Sequence, residues 1–237
     1  MLEKNGSTAR FGVYFSPAPG TLLHEMGSRW LGRDAVSGES LDPGLCEDMS
    51  REFWCTATES PRRYGFHATL KPPFRLAEGF CFADLQAALR EFAAAHDRFE
   101  APPLMVNRLG HFLALTLVEP SDTFRAVADD CVREFDKFRA TVTDEELQQR
   151  LHNGLSQRER EHILRWGYPY VFDTWKFHMS LTGSLAARDL SVFEEHLRER
   201  FSAVTSQRVP VGSICIFHEP EPGAPFRVVD CVPLRSR

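Results

Sequence analysis

Two tetrapeptides, His67-Ala68-Thr69-Leu70 and His178-Met179-Ser180-Leu181, each follow a phenylalanine, Phe66 and Phe177, and each set an imidazole two residues before a hydroxyl. Side chains alternate faces along a strand. His67, Thr69 and Lys71 therefore share one face, and Lys176, His178, Ser180 and Thr182 share another. The intervening Phe66, Ala68, Leu70, Phe177, Met179 and Leu181 are apolar and form packing faces. A row of imidazole, hydroxyl and ammonium presented twice suits general acid–base chemistry on a phosphoester. One histidine deprotonates a nucleophile while the other protonates a leaving oxygen, because imidazole titrates near neutrality. Thr69 and Ser180 can donate to non-bridging oxygens, and Lys71 or Lys176 can offset developing negative charge. A single H-x-T/S is commonplace. The repetition is what carries the reading.

Further side chains near these segments are candidates for contacting a substrate. Arg63 has the His67 parity if the strand extends that far back, and Tyr64 is an aromatic hydroxyl at the strand end. Tyr168 and Tyr170 lie in an aromatic turn, where they either pack on the protein or stack on a base or ribose. Arg10 and Arg75 are weaker candidates. The other histidines have simpler accounts: His24, His96, His162 and His196 fall in predicted helices, His152 in a last helical turn before Asn153-Gly154, and His111 and His218 at strand ends. None has a metal-ligand spacing, and no metal or cofactor is expected.

The elements that must position the motifs follow from periodicity and punctuation. Strands are predicted at 10–16, 64–70 (stopped by Pro72-Pro73), 104–107, 112–118, 175–182, 209–217 and 226–234. Helices are predicted at about 22–31, 84–96 and 123–138, with 38–44 as loop. Two short solvated helices start at the capping boxes Thr143-x-x-Glu146 and Ser156-x-x-Glu159, and another helix opens at Ser191-x-x-Glu194. Strand, helix, strand, strand thus follows each histidine motif, a long-range repeat. The expected division is one working domain over 1–237. Its first motif lobe covers about 64–120, a helical segment about 121–170 and a second lobe about 171–237, with 10–16 adding a strand.

Composition bounds the answer. The chain has 237 residues, 43% hydrophobic and 26% charged, with a net charge of -5. A fold of that size buries roughly 70–75% of its unfolded surface without staples. The acidic balance argues against a general polyanion binder. No apolar run approaches a membrane span and no secretion signal is visible, so the default address is cytoplasmic. The six cysteines lack paired spacing and are expected to be reduced thiols.

The two motifs resemble those of the two-histidine (2H) phosphoesterase superfamily, which includes LigT-like enzymes. The segments RYGFHATLKPPFRLAEGF, GSRWLGRDA, WGYPYVFDTWKFHMSLTG and PEPGAPFRVV resemble one bacterial branch associated with phosphonate-degradation operons. The resemblance implies a bilobal α+β fold of duplicated units related by a pseudo-two-fold axis, with antiparallel sheets around a central cleft. It implies metal-independent hydrolysis of a 2′,3′-cyclic or ribose cyclic phosphate, with His67 and His178 as the acid–base pair and Thr69 and Ser180 holding the phosphate. The expected partner is a small anionic phosphoester, with no membrane and no required protein partner. A non-catalytic nucleotide or RNA-end binding module, or an RNA 2′-5′ ligase-type transferase, are the alternatives.

Overall fold

The computed structural model describes residues 8–47, 49–151 and 154–236. His152 and Asn153, read above as the end of a helix, lie outside the described residues. Seven strands form one antiparallel sheet in the order β4-β5-β6-β2-β1-β8-β9, and β3 pairs with β7 in a second, two-stranded sheet. The strands are β1 (Arg10–Phe15), β2 (Ala68–Phe74), β3 (Phe99–Ala101), β4 (Leu104–Leu109), β5 (Phe112–Leu117), β6 (Met179–Ser180), β7 (Val209–Val211), β8 (Ser213–Glu219) and β9 (Arg227–Pro233). The architecture is α+β, as expected. No described helix is long and apolar enough to cross a membrane.

Eight α-helices lie among the described residues. They are α1 (Leu22–Leu31), α2 (Arg51–Tyr64), α3 (Phe82–Ala95), α4 (Asp122–Phe135), α5 (Asp144–Arg150), α6 (Gln157–Trp166), α7 (Ala187–Arg200) and α8 (Ser202–Thr205). Phe124, Val127, Ala128, Cys131 and Phe135 of α4 pack with Leu89 and Phe92 of α3 and Ala68 and Leu70 of β2 in the main core. Thr143 and Ser156 cap α5 and α6 through capping boxes, as their sequence pattern predicts.

Four expectations are corrected. Residues 51–64 form a helix that the sequence reading missed. Trp54, Ala57, Thr58 and Pro61 are its buried stripe. Strand β2 starts at Ala68 and runs through Pro72-Pro73 to Phe74. Prolines are tolerated there because β6 pairs with β2 only at Ala68, leaving the far end of β2 without a neighbour on that side. The Ser191 capping box lies inside α7, which begins after Ala186. Cys215 and Cys231 face one another across β8 and β9 and are joined as a disulfide, whereas Cys46, Cys55, Cys81 and Cys131 are free thiols.

Candidate functional site

The two histidine motifs meet where β2 pairs with β6. Ala68 lies opposite Met179 in antiparallel register, and both side chains are buried in the core. Carrying that register one residue each way sets His67 opposite Ser180 and Thr69 opposite His178, all on the other face. Each histidine therefore faces the hydroxyl of the other motif, and the two imidazoles sit on a diagonal, where Cβ atoms are about 7 Å apart. His67, Thr69, His178 and Ser180 line one cleft of about 360 Å³.

Local bonds fix both rings. His67 Nδ1 lies 2.9 Å from the Gly65 carbonyl, and His178 Nδ1 lies 2.9 Å from the Lys176 carbonyl. A carbonyl can only accept, so each Nδ1 carries the proton and each Nε2 is left for the cleft. His67 Nε2 is 3.2 Å from Thr69 Oγ1. Gly65 ends α2 with φ +84 and donates its N–H to the Pro61 carbonyl, so the helix terminus places the acceptor for His67. Pro61 contributes differently. It has no N–H for the Ala57 carbonyl, which accepts instead from Gly183 N–H at 2.7 Å and ties the end of the second motif to α2. Trp175 Nε1 donates to the Thr69 carbonyl at 2.9 Å, a further tie between the two motifs.

Electrostatics make both imidazoles neutral at rest. Burial pushes His67 down to about 4, against the Gly65 hydrogen bond, and the nearby His178 adds to the fall. Burial also lowers His178, against its bond to the Lys176 carbonyl. An incoming phosphate anion would favour the protonated ring again. The phenols stay protonated: burial raises Tyr168 to about 12 and takes Tyr14 well above the usual tyrosine value.

The remaining sequence candidates divide. Tyr64 and Tyr168 line the cleft, with Tyr64 stacked on Phe226 at 4.7 Å. Arg63 lies on α2 rather than on a strand, so its parity argument does not apply. Its Nη2 donates to Glu219 Oε1 at 2.6 Å. Lys176 is exposed and reaches the site through its backbone carbonyl. Lys71 is corrected most sharply. Tyr14 pairs with Thr69 but Val13 pairs with Lys71, so Leu70 and Lys71 together occupy a single step of β1. That bulge reverses the alternation. Lys71 is fully buried beside α4, its Nζ 2.6 Å from Asp136 Oδ1. Arg10 pairs with Glu219, and Arg75 with Glu146.

The sequence reading missed Tyr14, Phe112 and Ser60, which also line the cleft. Tyr14 shows a signal only in retrospect. It is an aromatic on a strand that proves to be the neighbour of β2. Among the described residues, no three His, Cys, Asp or Glu side chains are grouped as metal ligands.

Fold and cleft together describe an α+β protein in which two histidine–hydroxyl motifs line one cleft. A family described as "Protein of unknown function (DUF1045)" matches residues 69–227, and the chain belongs to it. It is 37% identical over 227 residues to a protein of Janthinobacterium sp. (strain Marseille) named ribose 1,5-bisphosphate phosphokinase PhnN, covering 93% of this chain and 49% of that one. It is 34% identical over 224 residues to a protein of the same name from Laribacter hongkongensis (strain HLHK9), covering 92% and 50%. The chain thus spans about half the length of these curated relatives. Two solved structures overlap it with slight likeness. One is titled a phosphoesterase (10% identity, TM-score 0.40, 95% of this chain and 98% of that one). The other is a conserved protein of unknown function from Agrobacterium tumefaciens str. C58 (12% identity, TM-score 0.44, 94% and 85%).

Proposed function

We propose that the protein is a metal-independent cyclic phosphodiesterase acting on a small 2′,3′-cyclic or ribose cyclic phosphate, with His67 and His178 as the acid–base pair. The observation that carries this reading is the register at Ala68 and Met179, which sets each imidazole opposite the other motif's hydroxyl. Thr69 and Ser180 donate to the non-bridging oxygens. One neutral imidazole takes a proton from water as its oxygen bonds to phosphorus. The ring bond from phosphorus to the sugar oxygen breaks, and the other imidazole, protonated once the anion is bound, returns a proton to that oxygen. The product is a phosphate monoester with a free hydroxyl. The duplicated, bilobal description belongs to the same proposal. It is supported by β2, α3, β3, β4, β5 after the first motif and β6, α7, α8, β7, β8, β9 after the second.

The relatives' name bears on substrate and on a rival activity. The rival is a kinase. A nucleotide-dependent kinase of the P-loop kind needs a glycine-rich loop ending in Gly-Lys-Ser/Thr. None of Lys4, Lys71, Lys137 and Lys176 follows a glycine. We therefore assign the kinase named in the relatives to the half of those proteins that this chain does not span. A ribose phosphate, possessed of both sugar hydroxyl and phosphate, is a fitting substrate for this half. A cytoplasmic setting completes the proposal.

The test is a panel of 2′,3′-cyclic nucleotides and ribose cyclic phosphates followed by phosphorus NMR. Ring opening that survives EDTA dialysis, and falls about 10²–10⁴-fold in His67→Ala and in His178→Ala with unchanged circular dichroism, is the expected result. Full activity in either variant overturns the assignment. Stabilisation by a ligand that stays intact would instead identify a binding module, and transfer to a second sugar hydroxyl a ligase-type enzyme.

A further inference from the structure

Beyond the histidines, the same face of the sheet carries a group of arginines. Strand parity sets Arg10, Gly12 and Tyr14 on one face of β1, and Tyr14 lines the cleft. Glu219 lies opposite Arg10 on β8. On the other side Phe74 lies opposite Phe11, which brings Arg75 beside Arg10 just after the cleft-lining Pro72 and Pro73. Arg139 follows, because Ala140 N–H donates to the Arg75 carbonyl at 2.8 Å. Arg150 of α5 donates to the Gly167 carbonyl at 2.9 Å. A Cβ at Gly167 would stand 3.3 Å from Arg139 and 3.4 Å from Arg150, so both flank the residue before Tyr168, another cleft residue.

This group is short of carboxylates. Glu219 serves both Arg10 and Arg63, Glu146 serves Arg75 at 2.6 Å and 2.7 Å, and Asp136 serves both Arg139 and Lys71. Five cations thus share three carboxylates. Arg150 has the Gly167 carbonyl as its hydrogen-bond acceptor, and it is half-buried. Burial lowers its guanidinium, Glu146 opposes that, and Arg75, Arg139 and Arg10 add to the fall. All these are signs of a locally positive field in an acidic protein.

We infer that this arginine group is a second phosphate subsite, so that the substrate is a cyclic phosphodiester carrying a further phosphate monoester on the far side of its sugar. The inference rests on the proposed hydrolysis for its first phosphate only. Arg10 and Tyr14 are four residues apart on one strand, about 13 Å between Cα atoms. An arginine side chain reaching back covers part of that, and a ribose with a phosphate at each end spans the remainder. Arginine fits the role, since its planar fork binds phosphate oxygens in pairs.

Two probes that differ by one group test it: adenosine 2′,3′-cyclic phosphate with and without a 5′-phosphate. Both kcat/KM and the calorimetric Kd are measured for each. In the wild type the 5′-phosphate is expected to improve kcat/KM about 10–100-fold. In Arg150→Gln and in Arg75→Gln the ratio between the probes falls toward one, whereas a purely structural arginine would weaken both probes alike. Equal handling of the two probes by the wild type, in rate and in Kd, overturns the subsite and leaves the hydrolase reading intact. The converse is also distinct. If both probes stay intact yet the 5′-phosphate tightens Kd in an Arg150-dependent way, the subsite stands and hydrolysis fails. No binding of either probe overturns the subsite.

Discussion

The His67 imidazole lies stacked on the Tyr14 ring, with centroids 4.1 Å apart and planes at 27°. Tyr14 in turn leans back over Gly12, where a Cβ would come within 2.6 Å of its ring carbon Cζ and hydroxyl. The stack dries one face of the imidazole and fixes its plane. Tyr14→Ala should therefore let water in, raise His67 from about 4 toward its ordinary 6.5, and lower kcat about 10- to 100-fold. Tyr14→Phe keeps the ring and should preserve both properties. Histidine NMR titration alongside turnover of a cyclic phosphate distinguishes the variants, and an unmoved His67 in Tyr14→Ala would sink the account.

Stability should fall on mild acidification. The folded His67 titrates at about 4 and the unfolded one near 6.5, so unfolding takes up a proton between those values. The contribution is complete above pH 6.5 and is lost as pH falls toward 4. With partial solvent screening it amounts to about 1–3 kcal/mol. Urea midpoints measured from pH 7.5 to 4 should show the slope, and His67→Asn should flatten it. An identical slope in that variant would place its origin elsewhere.

Gly65 joins the end of α2 to the His67 ring. Its φ of +84 with ψ 175 is a conformation reserved almost wholly for glycine, and a Cβ would lie 2.5 Å from that of Ala35. Gly65→Ala should cost about 1–3 kcal/mol and also misplace the carbonyl that holds His67 Nδ1. Ala35→Gly added to Gly65→Ala relieves the clash but not the backbone strain. The double variant should recover part of the stability, as read by thermal unfolding, and less of the activity. Full recovery of both would show that only the clash mattered.

Which parts of this were legible in the sequence follows from how local each signal is. His67, Thr69, His178 and Ser180 share a face because strand alternation holds over three residues, and the capping boxes at Thr143 and Ser156 are equally local. Lys71 was misplaced because a bulge is set by the neighbouring strand, not by β2 itself. The sequence pattern sets Tyr64 at the start of a strand, and Arg63 on its face only if that strand reaches back so far, yet both belong to α2, which carries Pro61. In α2 it occupies the last turn, and the carbonyl it frees is taken up by Gly183 from another part of the chain. Tyr14 was missed for the same reason as Lys71: its place beside His67 depends on β1 pairing with β2.

Lys71 then makes the clearest last test, because its buried ammonium is held by Asp136 and the Val132 carbonyl, at 2.6 Å and 3.4 Å. Burial lowers its pKa and Asp136 opposes that, so the pair survives on its partner. Asp136→Asn strands a buried cation and should cost about 3–5 kcal/mol. Lys71→Met replaces the ammonium with an apolar chain of similar length beside α4 and leaves Asp136 with Arg139. It should change stability by less than about 1.5 kcal/mol. Urea unfolding of the two variants checks the asymmetry, and turnover checks the site. Lys71→Met should keep kcat close to wild type, since the ammonium points away from the cleft. A large loss of kcat with stability preserved would return Lys71 to the chemistry that its sequence position suggests.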